Sequence, residues 1–178
     1  MNAFTYFESP IGRLLLTTDG THLTGLYMEP SRKAQSTDGW VEDITVGPLA
    51  ETARQLGEYF AGTRREFDLP LRSQGTPFQT RVWRELVEIP YGQTWSYGEL
   101  AKRIDKPSAS RAVGLANGRN PISILVPCHR VIGADGSLTG YGGGLERKRW
   151  LLAHEGDPIF QVIQSVESQK GAPAESAP

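Results

Sequence analysis

The stretch SYGELAKRIDKPSASRAVGLAN, residues 96–117, decides the fold of the chain around it. It opens on Ser96-Tyr97-Gly98-Glu99, a capping box in which the serine oxygen accepts from the amide three residues on while the glutamate reaches back to the serine amide. Leu100, Ala101 and Ile104 place an apolar face behind that cap and predict a short helix. Asp105 to Pro107 break it, and Ser108 is positioned to cap a second helix over Ala109 to Asn117. Two helices joined by so short a break have helix-turn-helix spacing, a unit that reads DNA in some proteins and never meets it in others.

Working outward, Thr76-Pro77-Phe78-Gln79 combines an N-cap threonine, proline at the first helical position and glutamine at the third, with Phe78, Val82 and Leu86 behind it, which predicts a helix over 76–88. Downstream, 121–141 reads as loop around a short apolar run, Ile122 to Val126, followed by Gly133, Gly136, Gly140 and Gly142 to Gly144. No spacing there matches a Walker loop or a dinucleotide fingerprint. A last helix is expected over Leu145 to His154, ending at Gly156 with Pro158 beyond, and the Ser-, Gln-, Ala- and Pro-rich segment after Gln164 has a disordered composition.

Upstream the grammar is different. Alternating runs at 3–8, 13–18 and 22–28 predict three antiparallel strands, with Asp19-Gly20 as a two-residue hairpin signal between the last two. Leu49, Ala53, Leu56 and Phe60 recur at helical spacing from Pro48 until Gly62, and a further strand is expected at 65–69. This part carries no chemical constellation of its own. The organisation expected is an α/β domain over 1–70, a linker at 71–75, a helical domain over 76–158 and a tail over 159–178.

The chain of 178 residues balances 19 Lys and Arg against 20 Asp and Glu, with 38% hydrophobic residues, values of an ordinary globular protein. The balance is uneven along the chain: 7 basic and 10 acidic side chains in 1–75 give −3, 11 and 7 in 76–155 give +4, and 1 and 3 in 156–178 give −2. The excess concentrates in 97–130, where Lys102, Arg103, Lys106, Arg111, Arg119 and Arg130 face only Glu99 and Asp105. Such a bias suits a nucleic-acid footprint, and on charge alone a solvated surface accounts for it equally well. No apolar run approaches the roughly 18 residues of a membrane span and no signal segment opens the chain, so no membrane contact and a cytoplasmic location are expected. The single cysteine, Cys128, excludes an intramolecular disulfide and a Cys-rich zinc site.

That cysteine sits in Pro127-Cys128-His129-Arg130. A thiol is a strong nucleophile only as thiolate, which an adjacent imidazole and nearby cations favour, and His129 and Arg130 are candidates for that role. An inert buried cysteine is the competing reading, as is a Cys-His hydrolase, although adjacent side chains on extended backbone point to opposite faces.

Pro127-Cys128-His129-Arg130-Val131, preceded by Arg111-Ala112-Val113-Gly114 and Asn120-Pro121 and followed by Tyr141-Gly142-Gly143-Gly144, resembles the O6-alkylguanine-DNA alkyltransferase family, from about Thr76 to Glu155 and essentially without gaps. The resemblance implies an α+β fold: a ribonuclease H-like α/β domain with a small antiparallel sheet, then a mostly helical, winged-helix-like DNA-binding domain. It implies DNA repair by direct reversal, in which the alkyl group of O6-alkylguanine, with O4-alkylthymine as a further lesion, passes irreversibly to Cys128. It places His129 and Glu155 in a water-linked relay, Tyr97 as a donor to N3 of the flipped base and Asn120 as the brace of the cysteine loop. The base pocket it implies is Tyr97, Val131, Tyr141 and Gly142, with carbonyls of Cys128 and Val131 reading the exocyclic amine and the Gly142 amide meeting O6. Ser96, Arg111, Ala112 and Gly114 are the implied DNA contacts, Arg111 entering the base stack from the minor groove. Many members carry serine where Gly142 stands, so a wider pocket is expected. A monomer with cooperative assembly on DNA as an allowed mode, no cofactor and no metal complete the expectation. Relatives lacking the cysteine sense damage without repairing it, and regulatory relatives carry an added Cys-rich domain. Cys128 and the chain length speak against both.

Overall fold

The computed structural model describes residues 1–156. The tail over 159–178, the end of the helical domain at 157–158 and the segment after Gln164 lie outside the described residues. Three strands form first: β1 (Ala3–Ser9), β2 (Gly12–Thr18) and β3 (Leu23–Met28), antiparallel in the order β3-β2-β1, with a two-residue β4 (Val41–Glu42) added parallel to β1. β4 has no alternation to announce it. β2 buries five consecutive residues, Leu14 to Thr18, and its Leu14 and Leu16 enter the main core together with Leu49 and Leu56 of α1 (Leu49–Phe60).

Two expectations fail here. The connection after β2 is four residues rather than two: Asp19 Oδ1 accepts from the amides of Thr21 at 2.9 Å and His22 at 2.7 Å, an Asx turn that holds the chain out until Leu23. No strand forms at 65–69. Gln55 takes both backbone groups of Asp68, at 3.0 and 2.9 Å, so the segment is held by a side chain and only Leu71 bridges to Leu23 on β3.

The helical half is α2 (Pro77–Val87), β5 (Trp95–Ser96), α3 (Tyr97–Arg103), α4 (Ser110–Gly118), a 3₁₀ turn at Cys128–Arg130, β6 (Val131–Ile132) and α5 (Leu145–His154). Both expected capping boxes are formed: Thr76 Oγ1 accepts from the Gln79 amide at 3.2 Å and Ser96 Oγ from the Glu99 amide at 3.1 Å, each answered by the return bond. Ser108 does not cap α4. Ala109 holds that position without a side-chain bond, because Asp105 turns into the left-handed region at φ 57° and the chain closes through Lys106 N to Ala101 O. α2, α3 and α4 pack on one another, and their core residues Val82, Leu86, Leu100, Ile104 and Val113 run continuously into Leu16, Leu26, Leu56 and Tyr59 of the first half. Among the described residues no helix is long and apolar enough to cross a membrane.

Candidate active site

Tertiary packing delivers the cysteine from a constrained loop. Asn120 is buried; its Oδ1 accepts from the Ile122 amide at 3.0 Å and its Nδ2 donates to Val126 O at 2.8 Å, pinning both ends of the run before Pro127. Inside that run Ile124 adopts φ 72°, a left-handed conformation unusual for a β-branched residue, which the surrounding contacts hold in place. The 3₁₀ turn that follows removes the extended backbone on which Cys128 and His129 would point apart. Cys128 is 4% exposed, and the pocket in front of it is lined by Asn117, Asn120, Tyr141 and Gly142.

Its electrostatics differ from expectation. Burial pushes the Cys128 thiol up, and the groups that pull it down are Asn120, Lys33 and Lys148 rather than His129 and Arg130. His129, fully buried, is likewise pushed down by burial and is a neutral base. Its Nε2 meets Glu155 Oε1 at 2.8 Å, while Nδ1 is buried with no hydrogen-bond partner among the described residues, free to take a proton.

Glu155, the C-cap of α5, is the hub. Arg130 Nε donates to Oε2 at 2.8 Å and Nη2 to Oε1 at 2.9 Å, and Tyr59 OH adds a 2.8 Å bond to Oε1. Burial opposes its charge, but the His129 and Arg130 contacts outweigh it and hold the carboxyl well below the usual range. The direct His129–Glu155 bond needs no water between those two groups.

The parallel pair β5–β6 sets Trp95 beside Val131 and Ser96 beside Ile132 and is followed directly by Tyr97, the first residue of α3; of the expected base-pocket residues, Tyr141 and Gly142 line the pocket in front of Cys128 and Tyr97 and Val131 do not. The Tyr97 hydroxyl donates to Thr139 O at 3.1 Å and must be redirected to meet a base. The carbonyls expected to read the amine are already engaged: Cys128 O accepts from Asn117 Nδ2 at 3.3 Å and from the Val131 amide, and Val131 O accepts from Lys148 Nζ at 2.6 Å. Ser96 Oγ accepts at its cap, Gly114 faces the Tyr97 ring, and Arg111 and Ala112 are exposed on the first turn of α4.

Three residues escaped the sequence reading. Lys148 is wholly buried, its ammonium lowered to about 8 by burial, with Val131 O and Thr139 O as acceptors. Lys33, on the loop after β3, donates to Gly118 O and occupies the space into which a side chain at 142 would project. The absent serine therefore leaves no wider pocket, because an ammonium fills it. Tyr59 brings the N-terminal half into the hub, against the expectation that this half carries no chemistry. A buried thiol, the imidazole next to it in the chain and a carboxylate fixed on that imidazole are the parts of a nucleophilic transfer. Among the described residues no cluster of His, Cys, Asp and Glu could hold a metal.

Comparison with known proteins gives one answer. Residues 2–73 match the ribonuclease-like domain of 6-O-methylguanine DNA methyltransferase and residues 77–157 its DNA-binding domain. The methylated-DNA–protein-cysteine methyltransferase of Methanosarcina acetivorans is 53% identical over 154 residues, covering 86% of this chain and 97% of the relative. That of Mycolicibacterium paratuberculosis is 56% identical over 148 residues, covering 83% and 88%. The crystal structure of Mycobacterium tuberculosis OGT in complex with DNA superposes with TM-score 0.80 at 49% identity, covering 89% of this chain and 99% of that one. With both of its halves matched in order and nearly the whole length shared, the chain belongs to the 6-O-methylguanine DNA methyltransferase family.

Proposed function

We propose that Cys128 is the acceptor that takes the alkyl group from O6 of guanine in DNA and restores the base. The observation that carries this reading is the buried thiol on a 3₁₀ turn, next to a neutral His129 whose far nitrogen is held by an ionised Glu155. In the step, the thiol proton passes through a bridging water to His129 Nδ1, which has no partner of its own among the described residues. The sulfur pair then forms an S–C bond to the alkyl carbon as the C–O bond breaks, and guanine leaves with that pair. Negative charge develops on the base as it departs, and Tyr97 OH at the ring nitrogen and the Gly142 amide at O6 lower its cost. Asn120 holds the loop, and Tyr141 walls the pocket. O4-alkylthymine is a second lesion of the same leaving-group chemistry.

The DNA is bound through α4. Arg111 and Ala112 are exposed there, and the basic excess of 97–130 surrounds them. Arg111 enters the base stack from the minor groove while the lesion rotates into the pocket. Ser96, whose oxygen accepts from its cap while its O–H stays available, donates to a DNA phosphate, and Gly114 lets α4 approach Tyr97. The protein acts as a monomer in solution, with 76–158 as the DNA-binding domain, 1–70 as the supporting domain and 71–75 between them.

The deciding experiment incubates the chain with duplex carrying one O6-methylguanine and weighs the intact protein. One methyl group should appear, mapping to the peptide that contains Cys128, and Cys128→Ser should take up none. Methyl uptake by Cys128→Ser would overturn the assignment.

A further inference from the structure

The N-terminal half reaches the relay through one hydroxyl. Tyr59 is wholly buried on α1, and its OH donates to Glu155 Oε1 at 2.8 Å across 96 residues of sequence. The same oxygen receives His129 Nε2 at 2.8 Å and Arg130 Nη2 at 2.9 Å, while Oε2 receives Arg130 Nε at 2.8 Å. Arg130 by itself grips the carboxylate with two parallel bonds and fixes its aim. The Tyr59 hydroxyl is therefore redundant for orientation, and what it alters is the charge that Oε1 presents to the imidazole.

We propose that Tyr59 is a tuning residue of the alkyl transfer: by donating to the carboxylate oxygen that faces His129, it weakens that oxygen as a partner for imidazolium and sets how readily His129 accepts the Cys128 proton. This rests on reading Cys128, His129 and Glu155 as one relay. The step it governs moves a proton from sulfur to imidazole and leaves thiolate and imidazolium. Glu155 stabilises the imidazolium, and a competing O–H donor on Oε1 removes part of that stabilisation. Burial first, and Glu155 second, keep the Tyr59 hydroxyl protonated well above its ordinary range, so it remains a donor at every working pH.

The surrounding charges do not substitute for it. Around Glu155 stand Arg130 from the 3₁₀ turn, Tyr91 from the loop after α2 with Arg65 over its ring, and His154 from α5, whose Nε2 is engaged with Tyr59 O at 2.7 Å. Around the thiol stand Lys33, Lys148 and Tyr141. The Tyr59 ring is held independently of its hydroxyl, packed edge-on against Phe60 and His154 with centroids 5.2 and 5.1 Å away. Phenylalanine keeps that packing.

The test is the pH–rate profile of alkyl uptake from free O6-benzylguanine, read by intact mass on the full chain, with iodoacetamide titration of Cys128 alongside. In Tyr59→Phe the imidazole becomes the stronger base, so the acid limb, which reports neutral His129, should move up by about half a pH unit while the plateau above it rises by up to about threefold, since each unit is tenfold in population. An unmoved limb, with the rate equal or uniformly lower, would assign Tyr59 to packing alone and overturn the proposal, as would a downward shift. Adding Tyr59→Phe to Glu155→Gln should move nothing further, and an equal shift in that background would also overturn it. Should the phenylalanine variant fail to fold, placing 3-fluorotyrosine at position 59, a stronger donor, should move the limb down; no movement defeats the idea. Cys128→Ser run in parallel separates the two readings, because retained alkyl uptake there sinks the relay itself, while lost uptake with an unmoved Tyr59→Phe limb sinks only the tuning.

Discussion

Glu155 and Gly142 are the residues whose chemistry has the sharpest consequences. Glu155 is a buried carboxylate whose charge is balanced by Arg130, so Glu155→Gln leaves that guanidinium uncompensated. We expect a loss of about 3 kcal/mol in urea unfolding, the scale of a broken buried pair, together with slower alkyl uptake at neutral pH. The sign with pH follows from the depressed carboxyl. Its contribution is fully present above the unfolded value, near 4.3, and is lost as pH falls below it, so the gap between wild type and variant should close on acidification from about pH 5. A gap independent of pH would mean that the charge is not what stabilises. Gly142 offers a second handle. A Cβ there would run into the end of the Lys33 side chain, which is flexible and gives way, so Gly142→Ser should displace the ammonium from the thiol. Lys33 is among the groups that lower the thiol, and iodoacetamide should then react roughly twofold more slowly near neutral pH. Unchanged reactivity would show that the ammonium does not act on Cys128.

At the level of elements, the DNA handling proposed for α4 is separable from the chemistry. Its buried side, Val113 and Ala116, packs into the core, whereas Arg111, Ala112 and Leu115 face outward. Arg111→Ala should reduce reaction with a lesion in duplex DNA about tenfold or more while leaving reaction with free O6-benzylguanine nearly unchanged, because the free base needs no extrusion from a stack. Equal losses on both substrates would defeat the flipping role. The capping boxes were legible because Thr76 with Gln79 and Ser96 with Glu99 act within one helical turn, where spacing alone brings the partners together. Ser108 was misread for the complementary reason. Whether a serine caps depends on the dihedrals of the preceding turn, and Asp105 at φ 57° displaces the start of α4 by one residue.

For the molecule as a whole, the thioether formed on Cys128 is neither a disulfide nor a thioester, so reductants and ordinary hydrolysis do not readily reverse it. No second cysteine can take the group onward. Guanine restoration with excess lesion DNA should plateau at one equivalent per protein, and turnover beyond that would point to a hydrolase. The acceptor is 4% exposed in a loop held by Asn120, so each added alkyl carbon must displace packed neighbours. The alkylated protein should therefore be less stable by about 1–3 kcal/mol, read as a fall of a few degrees in Tm. A Tm unchanged by alkylation would mean that the pocket already has room.

What the sequence by itself determined is local and chemical: five helices, two of them with their capping boxes, three strands of alternating residues, and one cysteine set against a histidine in a motif specific enough to place the chain in its family. The tertiary structure decided which groups tune that cysteine. Tyr59 and Glu155 meet across 96 positions, Arg130 and Glu155 across 25, and Lys33 and Gly118 across 85, and no periodicity encodes such meetings. A buried lysine such as Lys148 is equally silent in sequence, since lysine normally marks a surface until packing supplies carbonyls to receive it. The thiol followed the same rule: neighbours in the chain suggested His129 and Arg130 as its activators, but electrostatic influence falls with distance in space and is scaled by burial. Asn120, Lys33 and Lys148 became its partners because the fold put them there.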